Sequence, residues 1–162
     1  GHTSMNAEAE MITSVVVTGG KVYDGHQFAK LVEQDMERLV PAHIYAADRG
    51  YDSGDNHYLL EILGLHSAIK LKRNRTHKKD KNKEVWWELL ATPEYQVGQK
   101  ERYKIERKYG EAKQYHGLRR CRYLGRVRYA IQLYLTVIAL NLKRMVKLLA
   151  GVNFKGRAWA GA

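Results

Sequence analysis

The sequence predicts an α/β protein, a sheet with helices packed on its faces. Two observations carry that reading. Short runs rich in β-branched residues alternate with segments whose apolar residues recur every three or four positions. From Met11 to Leu71 the order is strand, helix, strand, helix, strand, and such alternation builds helices onto a sheet. At 162 residues the chain is long enough for one domain with a real core.

Each element has a local cause. Gly1–Ser4 reads as a cloning remnant outside the fold. A β-branched run predicts a strand over 11–18, stopped by Gly19 and Gly20. An amphipathic helix is expected over 26–39, with Phe28, Leu31, Val32, Met36 and Leu39 on its inner side. Pro41 separates it from a short apolar strand over 43–47. A helix over 56–63 is closed by Gly64, a natural C-cap, and another strand follows over 67–71.

Residues 70–83 carry Lys70, Lys72, Arg73, Arg75, Lys78, Lys79, Lys81 and Lys83 against one Asp80. Such a run cannot bury a core and predicts a mobile loop: either a solvated linker or a segment in which Lys72, Arg73 and Arg75 contact phosphate. Trp86 and Trp87 sit in an expected helix over 84–91 and point about 100° apart, so both cannot face one core. One could stack on an unpaired base, or pack against the sheet. A helix over 99–115 ends at Gly117, and a long one over 125–149 follows. Its stripe of Val127, Ile131, Tyr134, Leu135, Ile138, Leu142, Met145 and Leu149 is expected to face the core. Residues 151–162 have no period and read as a loose tail.

Charge and composition narrow the function classes. A formal charge of +11 and a pI near 9.7 suit a polyanionic partner, or simply a soluble basic protein. Cys121 is the single cysteine, which forbids an internal disulfide and fits a reduced cytosolic setting; it is expected to fill space beside Arg119, Arg120 and Arg122. The most apolar stretch, 129–140, contains Gln132 and Thr136 and is too short to span a bilayer. His43, His57, His66, His77 and His116 are scattered without a ligand-like spacing or a cysteine partner, so a zinc site is not expected.

The chemistry-bearing pattern lies in the second half. Arg102, Glu106 and Lys113 are four and seven residues apart, so on a helix they share one stripe: a carboxylate between two cations. A carboxylate so placed stays ionised and can bind a metal while the cations face an anion, as a site acting on a phosphodiester requires. The same spacing also serves as plain i,i+4 helix support. Asp48 stands just past the strand over 43–47, before the turn at Gly50, where open α/β sheets place their chemistry. It could equally cap the next helix, as could Asp52, Ser53 or Asp55.

Ala47-Asp48-Arg-Gly-Tyr-Asp-Ser53, Ile105-Glu106-Arg with Lys113, His116-Gly-Leu-Arg-Arg120 and Asn141-Leu-Lys-Arg144 together resemble the carboxyl-terminal part of the catalytic domain of DDE transposases, most closely the insertion-sequence 4/5 superfamily of bacterial mobile elements. The resemblance covers about Ile12 to Leu149. It implies a ribonuclease H-like mixed sheet flanked by helices, occupying residues 5–150 and lacking its first strand. It makes Asp48 the second and Glu106 the third acidic residue of the triad, both ligands of Mg²⁺ (or Mn²⁺). Arg102 and Lys113 match the arginine and lysine of the family's tyrosine-arginine-glutamate-lysine signature, and they would hold the DNA backbone with Arg119 and Arg120. Gln99 stands where the signature has tyrosine. The first aspartate has no counterpart, and Asp24 matches a turn aspartate outside the triad, so the chain reads as an inactive fragment of a larger enzyme.

The parent would cleave double-stranded DNA at element ends and join the freed 3′-hydroxyl to target DNA, in the nucleoid of the bacterial cytoplasm. A missing first strand would leave a sheet edge open to self-association. Two other readings stand beside this one: a non-catalytic basic nucleic-acid-binding module, and a ribonuclease H-like nuclease unrelated to transposition.

Overall fold

The computed structural model describes residues 1–40, 42–77 and 80–151. Strands β1 (His2–Asn6) and β2 (Met11–Val16) pair antiparallel, with an irregularity between Ser4 and Met5. Of residues 1–4, set outside the fold on sequence, His2, Thr3 and Ser4 thus belong to a strand: His2 pairs with Val16, is buried, and its ring bonds Tyr51 Oη and Thr18 Oγ1. Their composition carries no strand signal. The backbone of β2 supplies the pairing instead.

A single-turn 3-10 helix leads into α1 (Phe28–Glu37). Strand β3 (Ile44–Ala47) runs parallel to β4 (His66–Ile69), with α2 (Gly54–Ile62) as the crossover. Ser53 caps α2 by accepting from Asn56 N–H, and Gly64 takes the left-handed backbone (φ 67°) that lets the chain turn back. The architecture is a mixed α/β arrangement, but the strands form two separate two-stranded sheets rather than one.

Helix α1 joins those sheets. Phe28 and Val32 pack with Leu60 and Ile69 in the core. Asp35, which no apolar pattern could flag, also points inward and is buried. Its carboxylate accepts from Ser4 Oγ on β1 and Ser14 Oγ on β2, each at 2.5 Å, and from Tyr45 Oη on β3 at 3.4 Å. Burial, followed by the charge of Asp35, pushes the Tyr45 hydroxyl far above its ordinary value and keeps it a donor. Met36 and Leu39, expected inside, are exposed: α1 stops at Glu37, and Leu39 has left the helix with φ 53°.

The second half is helical: α3 (Lys83–Ala91), α4 (Pro93–Glu101), α5 (Tyr103–Tyr115) and α6 (Arg126–Ala150). Thr92 caps α4 and Pro93 takes its first turn, where a missing N–H costs nothing. The helix expected over 99–115 is two helices that meet at Arg102. Helix α4 lies so close to the parallel pair that a methyl group at Gly98 would collide with Ala68 and press on Ile44 and Ala46. This approach sets where α4 ends, and so where Arg102 stands.

The expected core face of α6 is overturned. Val127, Ile131, Tyr134, Leu135, Ile138, Leu142, Met145 and Leu149 are all exposed, whereas Leu133, Thr136, Val137 and Leu140 are buried. Apolar residues surround much of this helix, so periodicity admits more than one face. Polar contacts select it: the Asn141 side-chain amide pairs with both backbone groups of Ile12 on β2, and Arg144 Nε donates to the Ala9 carbonyl. Cys121, expected to fill space, is exposed.

Asp35→Ala is expected to lower the unfolding free energy by about 3 kcal/mol, because it leaves the buried Ser14 hydroxyl and the partly buried Ser4 hydroxyl without their acceptor. Urea unfolding checks this; a midpoint equal to the parent's would show that the hairpin is held to α1 by other means.

Candidate active site

Asp48 follows the last residue of β3 and starts a single 3-10 turn, its carboxylate accepting from Arg49 N–H at 2.8 Å. The same oxygen is 3.0 Å from Arg102 Nη1, while Arg102 Nη2 is 3.2 Å from Glu106 Oε1 one turn further on. One guanidinium therefore joins two carboxylates from distant parts of the chain. Because its terminal nitrogens are about 2.3 Å apart, the two carboxyl oxygens it holds lie within about 8.5 Å of each other. Both carboxylates are largely exposed, at 69% and 62%, and Arg102 is mostly covered at 19%.

The spacing of Arg102, Glu106 and Lys113 predicts a carboxylate between two cations, whereas the structure shows a cation between two carboxylates. Lys113 is exposed near the end of α5 and engages no acidic group among the described residues.

A cavity of about 470 Å³ opens beside this cluster, walled by Asp48, Tyr51, Arg102, Ile105, Glu106 and Tyr109. Burial raises the Tyr51 hydroxyl far above its ordinary value, and the charges of Asp24 and Asp48 add to the effect, so it stays protonated beside the two carboxylates. Asp24 is 58% exposed and lies 3.9 Å from His2 Nδ1. Gly50 follows in the turn after Asp48, where an added Cβ would make only an ordinary 3.5 Å contact with Asp24 Oδ2.

The remaining cations divide. Arg119 and Arg120 are exposed in the connection between α5 and α6, and Arg73 is exposed after β4. Lys72 and Arg75 face inward instead. Lys72 Nζ donates to Tyr23 Oη at 2.9 Å and to the Asp52 carbonyl at 2.8 Å. Arg75 Nε lies 3.5 Å from Asp52, and its guanidinium stacks 4.6 Å from the Trp86 ring centre. Trp86 is buried there and meets the His57 ring at a tilt of 55°, while Trp87 is 58% exposed. Lys78 and Lys79 lie outside the described residues.

Sequence reasoning treated Asp52 only as a possible cap, yet it organises this region. Fully buried, it accepts from Lys72 N–H at 2.6 Å and from His57 Nε2 at 3.1 Å. His57 Nδ1 in turn meets Ser67 Oγ at 2.8 Å. With the proton on Nε2 the ring donates to Asp52, and Nδ1 accepts from the Ser67 hydroxyl. Burial pushes the Asp52 carboxyl up, but the His57 and Lys72 hydrogen bonds and the Arg75 charge outweigh it and hold the value below the usual carboxylate range. This carboxylate and its ring are consumed by structure, whereas Asp48 and Glu106 line the cavity, together with Glu8, Asp35 and Glu101.

The family model of the transposase DDE domain matches residues 1–142. The chain belongs to this family. Comparison with the curated proteins and with the solved structures gives no match. DDE transposases act on DNA and use divalent metal ions. Hard divalent cations favour carboxylate oxygens, and the charge of Asp48 and Glu106 already draws a cation, so these two side chains fit such an ion. No cluster of three or more metal-ligating groups occurs among the described residues. No helix among them is long and apolar enough to cross a membrane.

Asp52 ionises more readily in the folded chain than in the unfolded one, where a carboxyl titrates near 3.9. Its contribution to stability is therefore complete above about pH 4 and is lost as pH falls through the lower folded value. Asp52→Asn is expected to reduce stability at neutral pH and to flatten its fall in acid. Urea titrations between about pH 2 and 7 measure both; parallel curves for parent and variant would exclude Asp52 as a source of the acid sensitivity.

Proposed function

We propose that this chain is the carboxyl-terminal part of the catalytic domain of an insertion-sequence 4/5 superfamily transposase, ribonuclease H-like in fold and part of a longer parent enzyme. The observation that carries the proposal is the Asp48–Arg102–Glu106 cluster beside an open cavity. Asp48 and Glu106 would hold Mg²⁺ or Mn²⁺. Bound there, the metal supplies an activated nucleophile and stabilises the leaving oxygen of a phosphodiester.

The chain's own residues do the rest. Arg102 holds the two carboxylates together, and its remaining N–H groups are suited to a phosphate oxygen. Lys113, Arg119, Arg120 and Arg73 grip the DNA backbone, which gives affinity without sequence information. In the parent, the same centre would cleave the element end and direct the freed 3′-hydroxyl at target DNA, with self-association bringing two ends together. Because Lys72 and Arg75 brace the fold, they contribute less to DNA binding than sequence suggests.

With two acidic groups at the centre, the chain alone is expected to bind DNA and to cleave it weakly or not at all. Robust cleavage by the purified chain, abolished by Glu106→Ala, would contradict this. A labelled duplex titrated across a salt series, with and without Mg²⁺, tests the site itself. Affinity should fall steeply with salt, respond to Mg²⁺ only while Asp48 is present, and lose about one unit of salt slope in Lys113→Gln. Binding that is steep in salt but blind to Mg²⁺ and to Asp48→Ala would leave a phosphate-gripping module and sink the metal-site reading.

A further inference from the structure

A second cavity, of about 700 Å³, lies between the end of α5, the connection to α6 and the first half of α6. It is preformed. Gln132 on α6 holds the connecting segment by donating to the Gly117 and Arg120 carbonyls and accepting from Arg122 N–H. Thr136 Oγ1 donates to the His116 carbonyl from the next turn. The walls so fixed combine three chemistries. Tyr115 and Tyr123 present exposed rings, Ile131 and Leu135 form an apolar side, and Arg122 and Arg128 supply guanidinium groups. No carboxylate lines the cavity, and neither arginine has an acidic partner among the described residues.

We infer that this cavity binds an unpaired nucleotide of a DNA strand, its base against the Tyr115 and Tyr123 rings and its phosphate against Arg122 and Arg128. A flat, partly apolar, anionic ligand matches the walls group for group, and aromatic stacking with arginine is how single-stranded nucleic acid is held without regard to sequence. The volume exceeds the few hundred Å³ that one nucleotide requires. The rise along α5 from Glu106 to Tyr115 is about 14 Å, and nine residues turn Tyr115 to the opposite face of the helix, so the cavity is a separate place from the carboxylates. The inference rests on the DNA-binding reading proposed above. The cavity lies apart from both tryptophans: neither lines it, Trp86 being packed against His57 and Arg75 and Trp87 exposed on α3.

The test compares two fluorescent DNA probes of equal length, a fully paired duplex and a single-stranded oligonucleotide carrying 2-aminopurine, bound to the full chain and to Tyr115→Ala, Tyr123→Ala and Arg122→Gln. The tyrosine rings are exposed, so the variants should keep the fold, which circular dichroism confirms. The expected result is quenching of 2-aminopurine by the parent and a loss of about tenfold or more in single-strand affinity for each tyrosine variant, with duplex affinity nearly unchanged. Lys113→Gln should weaken both probes alike. Equal losses on both probes, or none on either, would overturn the nucleotide site while leaving duplex binding intact; the second outcome would leave the cavity free for an acidic protein segment. Failure of the parent to bind either probe would overturn this inference together with the DNA-binding reading beneath it.

Discussion

A buried carboxylate must find donors, and Asp35 finds them on three strands. Ser4, Ser14 and Tyr45 place hydroxyls around it, and together they hold the antiparallel hairpin and the parallel pair against one helix. Two sheets of two strands each would be marginal alone. Helix α1 supplies apolar contacts to one and polar contacts to both, so the position of β3, and of Asp48 at its end, depends on this anchor. Removing a partner from such a group costs more than the bond itself contributes, because the remaining donors stay buried.

Three carboxylate environments then separate structure from chemistry. Asp35 and Asp52 are buried and saturated with donors, so neither has capacity left for a ligand. Asp48 and Glu106 are exposed and share a single arginine, an arrangement that satisfies charge without using all their oxygens. Exposed ion pairs contribute little to stability, so little of the fold's stability rests on this cluster. Its geometry is inherited from backbone packing: Gly98 lets α4 reach the β3–β4 pair, and Arg102 at the end of α4 arrives beside Asp48.

Helix α6 closes the hairpin side through polar docking. Asn141 and Arg144 address backbone groups of the hairpin, and Arg107 and Arg144 both approach Glu10 in its turn. Burial raises the Glu10 carboxyl, and the Arg107 hydrogen bond and surrounding cations bring it below its ordinary value. These contacts orient α6 with Leu133, Val137 and Leu140 inward, and leave a long apolar stripe and the Arg122–Arg128 cavity facing outward.

Much was legible in the sequence because its causes are local. The alternation of strands and helices, Ser53 and Gly64 at the ends of α2, and the placement of Arg102 and Glu106 one turn apart all follow from residues within a few positions of each other. Asp48 was visible from its position after an apolar strand. Long-range pairing was not legible. Nothing in the order of residues distinguishes Arg102, which reaches Asp48, from Arg75, which reaches Asp52, because any cation suits any carboxylate until packing chooses. For the same reason β1 was missed, the inner face of α6 was misassigned, and the Asp52–His57–Ser67 chain went unseen. Sequence determines which groups can cap, turn or ionise. The tertiary structure decides which of them meet, because burial and distance set the energy of every polar contact.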